Sequence, residues 1–208
     1  MPATISISAS CTIRNNIVYK NNTKVFELQA ATLPDFLISI YLQLETKYPK
    51  FYKMDNLSKL GWLATEFLLK DSFNKAQYKA EDIGVILSNS NASLDTDIKY
   101  FESTKDIASP ALFVYTLPNI VTGEICIRHQ FKGENAFFIC EEFDGELLYN
   151  YTNILINNNI LQAAVCGWIE VLNTDYETVL FLVEKNNLSA GIPFTKDNLN
   201  KIYQSKYG

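Results

Sequence analysis

Near its start the chain reads "ATISISASCTIRNNIVYKNN", with apolar and polar residues alternating on either side of Asn15-Asn16. A period of two sends successive side chains to opposite faces of a strand, so the segment predicts two strands joined by a tight turn. The pattern then changes. In "PDFLISIYLQLETKY", Phe36, Leu37, Ile40, Tyr41 and Leu44 recur at helical spacing. In "NLSKLGWLATEFLLKD", Leu60, Leu63, Ala64, Phe67 and Leu68 fall on one face, so both segments predict helices. "DIGVILSNSN" reads instead as a buried parallel strand whose small polar tail opens onto a loop. Beyond it, "SLDTDIKYFEST" predicts a helix capped by Ser93. "LPNIVTGEICIRHQF" predicts another, with Pro118 tolerated in its first turn. The strand "NAFFIC", the helix "FDGELLYNYTNILINNN", the strands "AAVCGWIEVL" and "ETVLFLVEK", and an exposed helix in "TKDNLNKIYQSKYG" complete the series. Strands interleaved with helices predict a layered α/β fold with a mixed sheet.

No repeat, low-complexity tract or linker divides the 208 residues, so a single domain spanning 1–208 is expected. At 48% hydrophobic and 20% charged residues the chain can bury a sizeable core. The net charge of −5, with no run of Lys or Arg, gives nucleic acid no basic face to bind. No apolar run approaches membrane-spanning length, and the first residues lack the basic-then-apolar layout of a signal peptide. The expectation is a cytoplasmic chain. Cys11, Cys126, Cys140 and Cys166 lie far apart without metal-binding spacing, which fits reduced and mostly buried thiols. His129 is the only histidine, so neither a zinc site nor a two-histidine mechanism is expected from this chain alone, and no cofactor or metal is called for.

The stretch "KGENAFFICEEFDGELLY" is a strand running into a helix, and Glu141 and Glu142 sit at the corner where an α/β enzyme usually holds its nucleophile. Their plainest reading is an acidic helix start. Cys140, ending an apolar strand, is most simply a small core residue. "ALFVYTLPN" places Leu112, Phe113, Val114 and Tyr115 in a row and reads, on its own, as a core-facing loop.

Four blocks resemble the β-ketoacyl synthase family, in family order, over 48–171. "YPKFYKMDNLSKLGWLATEFLLKD" is similar to the segment in which a basic-Met-Asp stretch leads into an early helix. "DIGVILSNSNASLDTD" resembles the strand and loop VGVVxGxxxGxxET. "SPALFVYTLPNIVTGEICIRHQFKGEN", at 109–135, resembles the diagnostic LPNxxxGxIxIxxxxKGPN. "LQAAVCGWIEV" resembles ADVMLAGGAE, with Gly167 and Glu170 retained. The resemblance implies the N-terminal half of a thiolase-type fold, a five-stranded mixed sheet covered by helices. The family's second half, with its two histidines and lysine, has no counterpart in these residues.

The family's catalytic cysteine lies nine residues after the glycine of KGPN; counted from Gly133, that position holds Glu142. A carboxylate there would be favoured as an anion or cap by the helix N-terminus, yet it is a poor thioester acceptor. The resemblance therefore implies a cysteine-less, non-catalytic chain-length-factor-like subunit. It would pair with a catalytic β-ketoacyl synthase, or with itself, in polyketide or fatty-acid-type synthesis such as that of aryl polyenes. Leu112, Phe113, Val114, Tyr115, Thr116 and Leu117 are then expected at the dimer interface and the end of the neighbour's acyl tunnel, and Asn135, Phe137 and Phe138 on a strand paired across the dimer axis. Acyl carrier protein, itself acidic, is expected to dock chiefly on the partner. The alternatives are a stand-alone acyl hydrolase or decarboxylase using Glu142 or Cys140, or a homodimeric acyl-binding module.

Overall fold

The computed structural model describes residues 4–29, 32–185 and 191–205, and one sheet links them from beginning to end. Strand β1 (Ile5–Arg14) turns at Asn15-Asn16 into β2 (Ile17–Lys20), which turns at Asn21-Asn22 into β3 (Thr23–Glu27). All four asparagines have φ between 49° and 65°, the left-handed geometry that two-residue hairpin turns require and that Asn tolerates.

At the sheet's centre β4 (Ile83–Asn89) runs parallel to both β5 (Asn135–Ile139) and β6 (Ala163–Leu172). Strand β7 (Asp175–Lys185) is antiparallel to β6 and to β1. The order β5-β4-β6-β7-β1 is the expected five-stranded mixed sheet. Hairpin β2–β3 and the short β8 (Ile192–Pro193), which pairs with β1, bring it to eight strands. Gly167 lets β6 and β7 close on each other: its φ is +154°, and an added Cβ would strike the Val179 carbonyl oxygen and come within 2.9 Å of Leu180 Cα.

Helices cover both faces. On one side α1 (Leu33–Gln43), α2 (Asn56–Leu69) and α5 (Ile120–His129) press Phe36, Ile40, Leu60, Leu63 and Ile125 onto Ile13, Val85, Leu87, Val165 and Leu180. On the other, α6 (Gly145–Asn157) and α7 (Lys196–Gln204) bring Leu148, Ile156, Leu199 and Ile202 to Ile86, Cys166, Val179 and Phe181. The last helix is therefore not the exposed one the sequence suggests; its spacing hides an inward pair, Leu199 and Ile202, among charges. Residues 206–208 of that expectation lie outside the described residues.

Two helix starts also differ from expectation. Pro118 precedes α5 and lies between it and a separate helical turn, α4 (Pro110–Val114). Ser93 occupies the N-cap position of α3 (Leu94–Ser103) without a capping bond; its hydroxyl donates to the Thr116 carbonyl at 2.8 Å. Among the described residues no helix is long and apolar enough to cross a membrane.

Candidate functional site

The corner between β5 and α6 lies beside the end of β4, where Cys140 N–H donates to the Asn89 carbonyl at 2.9 Å. The anion at the start of α6 is Asp144, which accepts from the N–H groups of Glu146 and Leu147 at 3.0 and 2.9 Å. Glu142 is exposed and caps nothing, which corrects its expected role: two residues nearer the helix, Asp144 reaches the free N–H groups first. Phe143 turns inward and stacks on Tyr203 with ring centres 4.1 Å apart, tying the corner to α7. Between them lies an open hollow of about 690 Å³, lined by Cys140, Glu141, Glu142, Asp144 and Glu146 and, from α7, Lys196, Asp197 and Asn200.

Cys140 is half-buried rather than in the core, and burial, reinforced by Asp144, raises its thiol pKa, so the thiolate is disfavoured. Burial pushes the other three thiols up as well, Cys126 to about 11 and Cys11 and Cys166 to about 12. His129 belongs to a different cluster, stacked on Phe131 with Nε2 3.4 Å from Glu66. Its burial, with Arg128 and Lys75 nearby, holds its pKa down to about 4 against the pull of Glu66. Among the described residues no trio of His, Cys, Asp or Glu is arranged to hold a metal ion.

The loop after β4 is pinned by the motif residue Glu170. Its carboxylate accepts from Ser90 N–H and Ser90 Oγ, both at 2.7 Å, and from Asn91 N–H at 3.3 Å. From this loop α3 emerges with its polar side inward. Thr96 Oγ1 donates to Asp55 Oδ2 at 2.8 Å, and Asn173 N–H to Asp95 Oδ1 at 3.0 Å. Burial raises the pKa of Asp55. The opposite side carries Leu94, Ile98 and Phe101, which are 41%, 44% and 66% exposed. Their spacing of four and three is that of an apolar stripe, normally turned to the core. Here it faces out.

In α4, Phe113, Val114 and, just beyond it, Leu117 are each half or more exposed, and the Phe113 ring lies 5.4 Å from Tyr100 of α3. Tyr115 does the reverse. Its ring is 7% exposed, and Oη donates to Oε1 of the buried Glu124 at 3.1 Å, whose Oε2 is 2.8 Å from Lys50 Nζ. Tyr115 is thus turned into its own subunit rather than outward with Phe113. The reason is polar: its hydroxyl completes a buried carboxylate. Leu112 and Thr116 are half-buried.

Strand β5 is the edge of the sheet. Val85 N–H donates to the Glu134 carbonyl and Cys140 N–H to that of Asn89, so the even-numbered residues of β5 face β4. Asn135, Phe137 and Ile139 consequently turn their N–H and C=O groups to the open side. Phe137 and Phe138, half-buried, point to opposite faces, Phe138 lying edge-on to Tyr151 with ring centres 5.0 Å apart. The structure therefore leaves Phe113, Val114 and Leu117 exposed, with Phe113 against Tyr100 of α3, turns Tyr115 inward, and keeps Asn135, Phe137 and Phe138 on the edge strand.

The sequence matches no family model. No curated protein matches it either. Solved structures do match in three dimensions. "The ishigamide ketosynthase/chain length factor" superposes with a TM-score of 0.65 at 19% identity, over 91% of this chain and 64% of that one. A type II polyketide-synthase ketosynthase, described with its acyl-carrier protein as "AntDE:AntF", gives 0.62 at 13% identity, over 88% and 62%. A "Ketosynthase (ApeO) in Complex with its Chain Length Factor (ApeC) from Xenorhabdus doucetiae" gives 0.57 at 11% identity, over 87% and 79%. The chain spans somewhat under two thirds of the length of the first two. It has the fold of ketosynthases and chain length factors, the fold its motifs resemble.

Proposed function

We propose that this chain is a non-catalytic, chain-length-factor-like subunit that pairs with a catalytic β-ketoacyl synthase in polyketide or fatty-acid-type synthesis, aryl polyene synthesis among the candidates. The observation that carries the reading is a corner without the family's cysteine together with an open edge strand. The corner has a glutamate where the family has its cysteine, and the half-buried Cys140 beside it is held as a thiol. Strand β5, by contrast, offers the outward N–H and C=O groups of Asn135, Phe137 and Ile139 to another strand. Antiparallel pairing centred on Phe137 would set Asn135 against the partner position equivalent to Ile139 and use all of these groups. It would also bring Lys132, at one end of the strand, toward the acidic end equivalent to Glu141 and Glu142. In this reading Phe113 contributes bulk at the end of the partner's tunnel, while carrier protein docks on the partner.

The test is co-expression with a ketosynthase from the same genome. Alone, given malonyl- and acyl-carrier substrates, the chain condenses nothing and carries no acyl adduct; with the ketosynthase it sediments as a heterodimer that does. Ile139→Pro removes one outward N–H from an exposed position of the edge strand, where proline is tolerated, and should weaken the pair without unfolding the chain. An acylated Cys140 peptide in the isolated protein, seen by mass spectrometry, would overturn the non-catalytic assignment.

A further inference from the structure

We infer that the Lys59 amine is a carbon dioxide site, taking up CO2 as a carbamate with Lys99 of α3 as the neighbouring cation. Among the described residues four lysines are half-buried, Lys20, Lys59, Lys75 and Lys185. Lys20 donates to the Lys70 carbonyl, Lys75 to that of His129, and Lys185 to the Ile156 carbonyl and to Asn159. The Lys59 side chain makes no hydrogen bond or ion pair among the described residues; its Nζ lies 5.9 Å from the centre of the Phe51 ring. A polar group drawn out of water ordinarily gains an acceptor in exchange. Lys59 has gained none.

Its surroundings suit a nucleophilic amine. Asp55, one helical turn earlier, is already occupied: Oδ1 accepts from Ser58 N–H at 2.9 Å and Oδ2 from Thr96 Oγ1 at 2.8 Å. Lys99 lies close enough on α3 to act on Lys59 through its charge, and its own Nζ is 2.5 Å from Asp95. An ammonium has three donors, so that pair leaves two for another anion. Burial, with the Lys99 charge beside it, lowers the Lys59 pKa against the pull of Asp55. That enlarges the unprotonated fraction, the only form that attacks CO2.

In the step itself the nitrogen lone pair forms the N–C bond and one C–O π pair moves onto oxygen. The nitrogen then loses a proton to water, so a neutral amine and CO2 give a carbamate anion and one released proton. Lys99 repels the ammonium form of Lys59 and attracts the carbamate, so the reaction replaces a like-charge contact with an opposite one. Half-burial against Phe51 shelters the product from the protons that would return it to amine and CO2. Lys47 and Lys79 are exposed and lack that shelter. The result is a CO2-dependent change from cation to anion on α2.

The experiment uses the isolated full chain in isotope-labelled bicarbonate at mildly alkaline pH. Triethyloxonium converts any carbamate to a stable ethyl ester before digestion and mass spectrometry. The Lys59 peptide should carry the labelled ester at roughly tenfold or more the occupancy of peptides holding Lys47 or Lys79. Lys59→Arg, which keeps the charge, should abolish that signal. Lys99→Met should lower it severalfold, because the amine is then more fully protonated and the anion loses its partner. Thermal melting establishes that both variants are folded, and the wild-type comparison stands without them. Equal trapping on Lys59 and the exposed lysines, or none on Lys59, would overturn the inference. So would undiminished trapping in folded Lys99→Met. No ketosynthase is present, so the outcome is independent of the pairing proposed above.

Discussion

Tyr115 and Phe113 stand two residues apart in one apolar run, and the structure gives them opposite roles. Tyr115→Phe keeps the ring and removes only the hydroxyl that donates to Glu124 Oε1 at 3.1 Å. No cavity opens, but a carboxylate oxygen in a nearly fully buried side chain loses a donor. Lys50 still reaches the other oxygen at 2.8 Å, although that lysine is itself substantially exposed. A hydrogen bond to a charged group is worth about 1.5–3 kcal/mol. For a domain of this size each kcal/mol moves the melting temperature by about 2–4 °C, so Tyr115→Phe should lower it by about 3–12 °C. Phe113→Ala should change stability by no more than about 0.5 kcal/mol, since the side chain is largely in solvent. It should instead loosen the complex and lengthen the product. Calorimetric melting of the isolated chain, with product analysis of the co-purified complex, separates the two effects. The reasoning fails if Tyr115→Phe melts like the wild type yet shifts product length, because the hydroxyl would then face the partner rather than Glu124.

Three further outcomes follow from the structure. Tyr78, Tyr115 and Tyr203 donate to Glu184, Glu124 and Glu177, and burial together with those carboxylates raises each phenol above its ordinary value near 10. The unfolded chain gives up these protons first, so stability should fall as pH rises through about 10, and a denaturation midpoint flat between about pH 9 and 11 would contradict this. His129 has the opposite sign: a base held down to about 4 by burial, against 6.5 ordinarily, stabilises the fold above pH 6.5 and loses that contribution as pH falls toward 4. His129→Gln should therefore flatten the acid limb of a stability-versus-pH curve. Gly167→Ala forces a side chain into positive φ against the β7 backbone and should cost more than about 3 kcal/mol, read as loss of soluble protein or a collapsed melting temperature.

Much of this architecture is written locally. The Asn15-Asn16 turn, the wholly buried run of β4 and the helical spacing in α1, α2 and α6 each follow from a few neighbouring residues. Gly167 and Glu170 were visible as motif residues, though only the packed sheet reveals that one admits β7 and the other pins the loop to α3. What stayed hidden depends on partners distant in sequence. Leu94, Ile98 and Phe101 make a normal amphipathic stripe, and nothing near them says that Asp55 and Asn173 will hold the polar side inward. Glu124, nine residues beyond Tyr115, decides which aromatic of the run is buried. The short strands β3 and β8 carry too few residues to show a period.

The two ends of the sheet are not alike, and under the proposed pairing the difference would set the stoichiometry. At one end β3 is a five-residue strand exposed along most of its length, with a Lys24–Glu27 ion pair on it and an irregular register against β2. Charged, short and irregular edges resist further pairing. At the other end β5 has no second neighbouring strand among the described residues. A sheet bare at both ends can polymerise, each added copy exposing a new edge, whereas a sheet bare at one end reaches a closed pair and stops. If β5 pairs as proposed, the β2–β3 hairpin would act as a terminator: it would keep the paired sheet from seeding fibres and the assembly finite.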